Sequence, residues 1–433
     1  MTITIKLENL ALKIILVVAG LFLVFWCGRT VFGHFLLRNV ADRRIVMSRD
    51  VLTSAAIRNP NSSRILQRLA DAEFEESASE PQRLLNAQAL ALKAVSLSPW
   101  DYKNWRLLGM AQDADGKLEE AERAMKVAAV LAPSNSETHW ALANLLVRQN
   151  NRIGALRPFR VATRFNNELL PAAMDVVWQA FDGDVEALNS FVNKETAPRL
   201  LMAQFLLEQA QADAAIEVFQ GLDSEARLNS QNAALFISLL VQAGRSSEAR
   251  QLWGELVGDS LRSLSQEKQE SSLSLVWNGS FEHSAPKNFG HFDWTLRPSE
   301  YARIGFDRSV FRSGQKSLRL NFVGRETTKL MGDIQQMVVL NPNRKYRLEC
   351  FAKTANFVTP EGPRIALLGQ KGILVVSEPV AAGEADWQRL VVEFTSPSDG
   401  VTAQVAIIKI PRFDYEEPTK GTVWFDDFRL TEL

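Results

Sequence analysis

Two cysteines and four histidines are the scarcest chemistry in this 433-residue chain. Cys27 falls in an apolar run near the start and Cys350 in a stretch of alternating polarity. The sequence therefore offers no disulfide framework, and the redox compartment stays open. The histidines, His34, His139, His283 and His291, form no H-E-x-x-H motif. His283 and His291, eight apart in a loop, could share a metal, but such pairs are usually solvated. A G-x-S-x-G elbow and a phosphate-binding glycine loop are also missing, which removes the commonest hydrolase and nucleotide-binding signatures. No carboxylate pair declares itself at the separation a glycosidase needs, and only a fold can show one. The net charge is −1 with both signs spread along the chain, and no basic stripe is present to grip a phosphate backbone. Nucleic acid is therefore not an expected partner.

What is present is ordinary globular material, 46% apolar and 23% charged, long enough for two or three domains. One segment departs from it: LALKIILVVAGLFLVFWCGR. Residues 14–28 are uninterrupted by charge and span about 22 Å as a helix, against a hydrocarbon core of roughly 30 Å. Including Leu10 to Leu12, with Lys13 snorkelling, extends this to about 28 Å. Trp26 stands at one end, where an indole favours the membrane interface. No small-x-small cleavage site follows, so residues 10–28 are expected to be a retained transmembrane anchor after a short tail, 1–9. Lys6 and Lys13 precede the anchor; Arg29, Arg38, Arg43, Arg44 and Arg49 follow it. Charge therefore leaves its orientation open.

From about 38 to 258 the period is helical and repeats. In WRLLGMAQDADGKLEEAERAMKVAAVLAP, Trp105, Leu108, Gly109, Ala121, Ala128 and Pro133 stand at tetratricopeptide (TPR) spacing. Steps of 34 residues reach Leu142, Ala143, Ala155, Phe159 and Ala162 in one direction and Ala87, Ala94 and Pro99 in the other. Ala215 and Ala249, and Phe219 and Trp253, are spaced alike. Small residues let paired helices approach, large ones fill the gap to the next pair, and glycine or proline ends them. The stretch 169–195 is about eight residues short of a repeat, so one unit is degenerate. Trp105, Trp140, Trp178 and Trp253 read either as an aromatic groove or as filling between helices. The expectation is a TPR-like solenoid whose concave side holds a protein partner.

The polar segment 259–272 reads as a linker, after which the period becomes two. KSLRLNFV, RKYRLECFAKT, GILVVSE, DWQRLVVEFTS, TAQVAIIKI and GTVWFDDFRL alternate between turn-forming residues. With no helical stretch among them, they predict an antiparallel β-sandwich over 273–433. In a regular last strand Trp424, Asp426, Phe428 and Leu430 would share one face, and Val423, Phe425 and Asp427 the other.

The order NGSFE, HFDW, SGQKSLRL, VVLNPNRKYRLECFAKT, ADWQRLVVEFTSP and WFDDFRL resembles the jelly-roll carbohydrate-binding modules of the galactose-binding-like superfamily. That resemblance covers about 275–433. The whole arrangement (membrane helix, all-α repeats, all-β jelly roll) is similar to bacterial proteins associated with exopolysaccharide or O-antigen assembly. It implies a polysaccharide ligand, an inner-membrane location and a periplasmic soluble part. It also implies a structural calcium ion near the first and last strands, with Asp426, Glu282 and Asp427 as ligands, assisted by carbonyls near Ser313 and Gly314. The alternative for these carboxylates is hydrogen bonding to turn amides or pairing with arginine. Sugar binding needs flat aromatic faces. Phe413 and Tyr415 in the loop PRFDYEEP are candidates, with Trp294 and His291 in the loop SAPKNFGHFDWTLRP; Trp294 can equally plug the sandwich. The expected function is a non-enzymatic envelope scaffold, with a purely protein–protein assembly subunit second and a glycan-processing enzyme third.

Overall fold

A computed structural model describes residues 49–78, 80–228, 231–264, 274–286, 288–398 and 402–433, with Gly20 besides. The expected anchor, 10–28, otherwise lies outside the described residues, as does Cys27. Among the described residues no helix is long and apolar enough to cross a membrane. The chain divides into two compact units, Met1–Asn193 and Lys194–Leu433.

The first unit is helical: α1 (Arg49–Arg58), α2 (Ser63–Glu75), α3 (Pro81–Leu97), α4 (Tyr102–Ala114), α5 (Leu118–Leu131), α6 (Ser136–Arg148), α7 (Arg152–Phe165), α8 (Leu170–Ala180) and α9 (Val185–Phe191). Helices α2/α3, α4/α5 and α6/α7 pair, and α2, α4 and α6 touch in succession. Local chemistry repeats with the sequence. Asp101 and Asn135, 34 apart, cap α4 and α6 by accepting from the Lys103 and Thr138 amides at 3.0 and 2.9 Å. The turns inside the pairs carry left-handed Gly116 and Asn150, also 34 apart. Gly109 is required by packing: a Cβ there would lie 2.8 Å from Met125 Cγ and 3.2 Å from the Ala121 carbonyl. The short repeat expected at 169–195 is present as the clipped pair α8 and α9.

Among the described residues the second unit joins five α-helices to the sandwich. They are α10 (Thr196–Glu208), α11 (Ala212–Gln220), α12 (Ser224–Leu228), α13 (Gln231–Gln242) and α14 (Ser246–Leu264). The segment expected as linker is thus helical through Leu264. Ten strands follow, among them β2 (Ala302–Asp307), β3 (Ser317–Arg325), β4 (Leu330–Val339), β5 (Lys345–Val358), β6 (Arg364–Gly369), β7 (Gly372–Val376), β8 (Gly383–Thr395), β9 (Thr402–Lys409) and β10 (Thr419–Glu432), preceded by β1 (Thr295–Leu296). They form two five-stranded antiparallel sheets, ordered β1-β4-β9-β6-β7 and β2-β3-β10-β5-β8. Leu320, Leu348, Val405, Ile407 and Phe425 fill the space between them. Cys350 is free and fully buried in this core, and burial pushes its thiol well above the usual value.

The last strand corrects the alternation expected of it. Asp427 adopts φ +53°, and the register against β5 shifts between Asp426 and Arg429. This bulge turns Phe428 and Leu430 inward beside Val423 and Phe425, leaving Trp424 outside the core cluster. Both aspartates are buried as a result.

Helices and sandwich meet within this unit around Trp253 of α14. Its ring is fully buried, edge-on to Trp277 and Phe292 at 5.3 and 5.5 Å, and donates to the Phe289 carbonyl at 2.6 Å. Arg250 lies over Trp253 and Phe292 at 4.8 and 5.6 Å. Burial lowers its pKa to about 10.

Candidate functional sites

The two aspartates quoted from the sequence hold the β2–β3 loop, 308–316, onto the end of β10. Asp426 Oδ2 accepts from the Arg312 and Ser313 amides at 2.8 and 3.2 Å, and Oδ1 from the Asp427 amide at 2.8 Å. Asp427 accepts from the Arg312 guanidinium and, at 2.6 Å, from the Ser313 hydroxyl. That guanidinium lies over the Phe351 ring, 3.5 Å from its centroid. Burial, joined by repulsion from Asp427, raises Asp426 to about 6 against the hydrogen bonds it accepts. Glu282 holds the same loop through the Gln315 and Lys316 amides, at 2.9 and 3.0 Å. All four oxygens of the aspartate pair therefore accept from protein donors, one of them a cation. Arg312 already neutralises Asp427 and would repel a second cation, so this arrangement does not fit a calcium ion. Among the described residues no group of three or more metal-ligating side chains assembles.

The NGSFE segment completes this staple. Asn278 accepts from the His283 amide at 2.8 Å and donates to its carbonyl at 2.9 Å. The Gly279 carbonyl accepts from the Phe428 amide at 2.9 Å. Phe281 packs beside Trp294 and Phe428.

The proposed sugar contacts fall in two places. Trp294 is half-buried, with its ring 4.9 Å from that of Phe428 and its indole N–H donating to the Asn278 carbonyl at 3.1 Å. His291 faces helix α13, its Nε2 2.7 Å from Ser238 Oγ, and burial lowers its pKa. The β9–β10 loop, 410–418, presents Phe413 and Tyr415 at 72% and 62% exposure. That loop is braced from beneath. Lys409, at the end of β9, pairs with Glu416 at 3.2 Å, with side chains only 1% and 4% exposed. The other Glu416 oxygen accepts from the Arg412 amide at 2.6 Å. The Glu416 main chain exchanges bonds with Thr327 at 3.0 and 3.2 Å, and Arg412 reaches Glu361 at 2.8 Å. Two flat rings thus stand in water on a loop whose backbone is hydrogen-bonded at Arg412 and Glu416.

In the first unit a groove of about 730 Å³ runs across α2, α4 and α6. It is lined by repeat-equivalent positions: Lys103 and Glu137, Arg106 and Trp140, Leu107 and Ala141. Trp140 lies in this groove with its ring edge-on to Phe159 at 5.5 Å. The other tryptophans do not share it. Trp105 donates to the Pro99 carbonyl at 2.7 Å, while Trp253 belongs to the second unit. His139 stands 34 residues after Trp105 and repeats its role, with Nε2 3.1 Å from the Pro133 carbonyl. Repeat arithmetic would have found His139 and separated it from Trp140.

No protein-family model and no curated protein matches the chain. Solved structures resemble parts of it. A carbohydrate-binding module described under "CBM4 structure and function" is 17% identical with a TM-score of 0.27, covering 36% of this chain and 99% of that one. YrrB, a TPR protein described as having an unusual peptide-binding site, is 15% identical with a TM-score of 0.27, covering 50% of this chain and 97% of its own. The enzymatically active domain of bacteriophage CBA120 tailspike protein 4 is 15% identical with a TM-score of 0.25, covering 37% of this chain. The chain spans only 22% of that tailspike domain. Matches this distant carry no argument about activity or ligand.

Proposed function

We propose that the chain is a non-enzymatic scaffold of the bacterial cell envelope, acting in polysaccharide assembly or export. Its sandwich contacts glycan through Phe413 and Tyr415, and its helical groove holds a segment of a protein partner beside Trp140. The soluble part lies in the periplasm, tethered by residues 10–28. The observation that carries the glycan reading is the braced 410–418 loop. Two aromatic rings exposed two residues apart on one short loop give the kind of apolar surface that marks a ligand-binding site. A buried ion pair beneath them holds both rings ready to stack on sugar faces without an ordering cost on binding. Proline at 411 and 418 stiffens both ends.

Affinity electrophoresis of the full chain through gels containing the host's extracellular polysaccharide tests this reading. The wild type should be retarded, and a Phe413→Ala/Tyr415→Ala chain should not. Equal migration of the two chains in every gel rejects the assignment.

The second reading, a purely protein–protein assembly subunit, is favoured by a different observation. Strand β7 is the edge of its sheet and exposes Ile373, Leu374 and Val376. An apolar sheet edge is suited to pairing with another chain. Under that reading Lys substitutions along β7 abolish co-purification of a partner, whereas the loop substitutions do not.

A further inference from the structure

We infer that the outer side of the helical repeats, formed by α3, α5 and α7, is a docking surface for an anionic lipid bilayer. Helices α2, α4 and α6 contact one another and line the groove, so α3, α5 and α7 are carried on the other side. Repeat equivalence aligns their C-terminal halves: Leu92 with Lys126 and Arg160, Ser96 with Val130 and Arg164, Leu97 with Leu131 and Phe165. Water-facing helices normally hide apolar side chains and intersperse acids among bases. Here Val130 and Phe165 are 79% and 54% exposed, and Trp100, in the turn after α3, is 84% exposed.

Within these three helices the charge is one-sided. Neither α3 nor α7 contains an acidic residue, and the three glutamates of α5 lie in its first half. Arg157, Arg160 and Arg164 of α7 are exposed and make no ion pair among the described residues. Isolated aromatic and aliphatic side chains among unpaired arginines match a lipid headgroup layer. It offers phosphates to the guanidiniums and an acyl boundary to Trp100, Val130 and Phe165. No recess is needed, and the groove described above is lined from α2, α4 and α6. The inference stands on the surface alone and does not depend on the apolar run at 10–28.

The test uses the full chain with Cys27→Ser and Val130→Cys, spin-labelled at the new cysteine. It is reconstituted into vesicles of phosphatidylcholine alone or mixed with phosphatidylglycerol. With the anionic lipid, the label should become accessible to oxygen in the acyl region and shielded from a water-soluble relaxation agent. A label at Gln67→Cys, on the groove side, should stay in water in both vesicles. Each cation near an anionic surface is worth roughly fivefold in occupancy. Arg157→Gln, Arg160→Gln and Arg164→Gln together should therefore cut the docked fraction relative to the free on the order of a hundredfold. High salt should act in the same direction. A label at position 130 that stays in water in both vesicles overturns the inference. So does docking that survives the triple substitution. Immobilisation by soluble polyglutamate and not by lipid would make the surface a site for acidic protein, and the inference would fail.

Discussion

The buried pair beneath the aromatic loop makes the sharpest test of why Phe413 and Tyr415 stand where they do. Glu416→Gln keeps the size of the side chain and an acceptor for the Arg412 amide but removes the charge facing Lys409. With both side chains nearly inaccessible, Lys409 is left charged and uncompensated, at a cost of about 3–5 kcal/mol. In a cooperative unit of some 200 residues that lowers the melting temperature by about 6–20 °C. Lys409→Met alone should cost a similar amount by stranding Glu416. Combined, the two changes remove both charges, so the double variant should fall well short of the sum, with a coupling of about 1–3 kcal/mol. Thermal melts of the full chain, followed on the transition of the second unit, give the three values. Additive single effects, or a Glu416→Gln chain as stable as wild type, would refute the idea that this pair braces the loop.

Other consequences follow from named contacts. A Cβ at Gly279 would lie 2.0 Å from the Phe428 carbonyl, so Gly279→Ala should destabilise the sandwich by about 3 kcal/mol or more, read by denaturant melts. Asp426 titrates near 6 in the fold against an ordinary 3.8, so folding favours its proton. Its contribution is fully present below pH 3.8 and is lost as pH rises through 6, by up to about 3 kcal/mol. Asp426→Asn, which cannot ionise, should lack that decline when its stability is compared with wild type across pH 4 to 7. Calcium or a chelator should leave the melting temperature unchanged, because Arg312 and the loop amides already occupy the aspartate oxygens; a rise of several degrees with calcium would contradict this. Trp253→Ala should cost about 3–5 kcal/mol and weaken helices and sandwich together in one transition.

The repeats were readable because 34-residue spacing is a local property. Gly109, Ala121 and Ala128 mark helix contact whatever the surroundings, and the caps Asp101 and Asn135 follow the same count. The strands were readable for the same reason. What was hidden depended on chain segments far apart. Simple alternation could not foresee the bulge at Asp427, because it answers a loop more than a hundred residues earlier in the sequence. Its side chain receives Arg312 and Ser313, and the extra residue lets Phe428 reach the core. Nothing near His291 announces Ser238, 53 residues away in the sequence. Polar residues at strand ends read as solvent-facing in sequence and become buried only when a distant loop closes on them. Phe413 and Tyr415 stay exposed in the fold, on a loop whose bracing by Lys409, Thr327 and Glu361 comes from outside it.

The central claim is that glycan meets the chain at these two rings. Hydroxyl-radical footprinting of the full chain, with and without the host's surface polysaccharide, tests it most directly. The account predicts that oxidation of Phe413 and Tyr415 falls on addition of the glycan, while Trp100 and Phe165 on the helical unit stay as reactive as before. Unchanged oxidation of both loop residues, with saturable polysaccharide binding still measured, would contradict it.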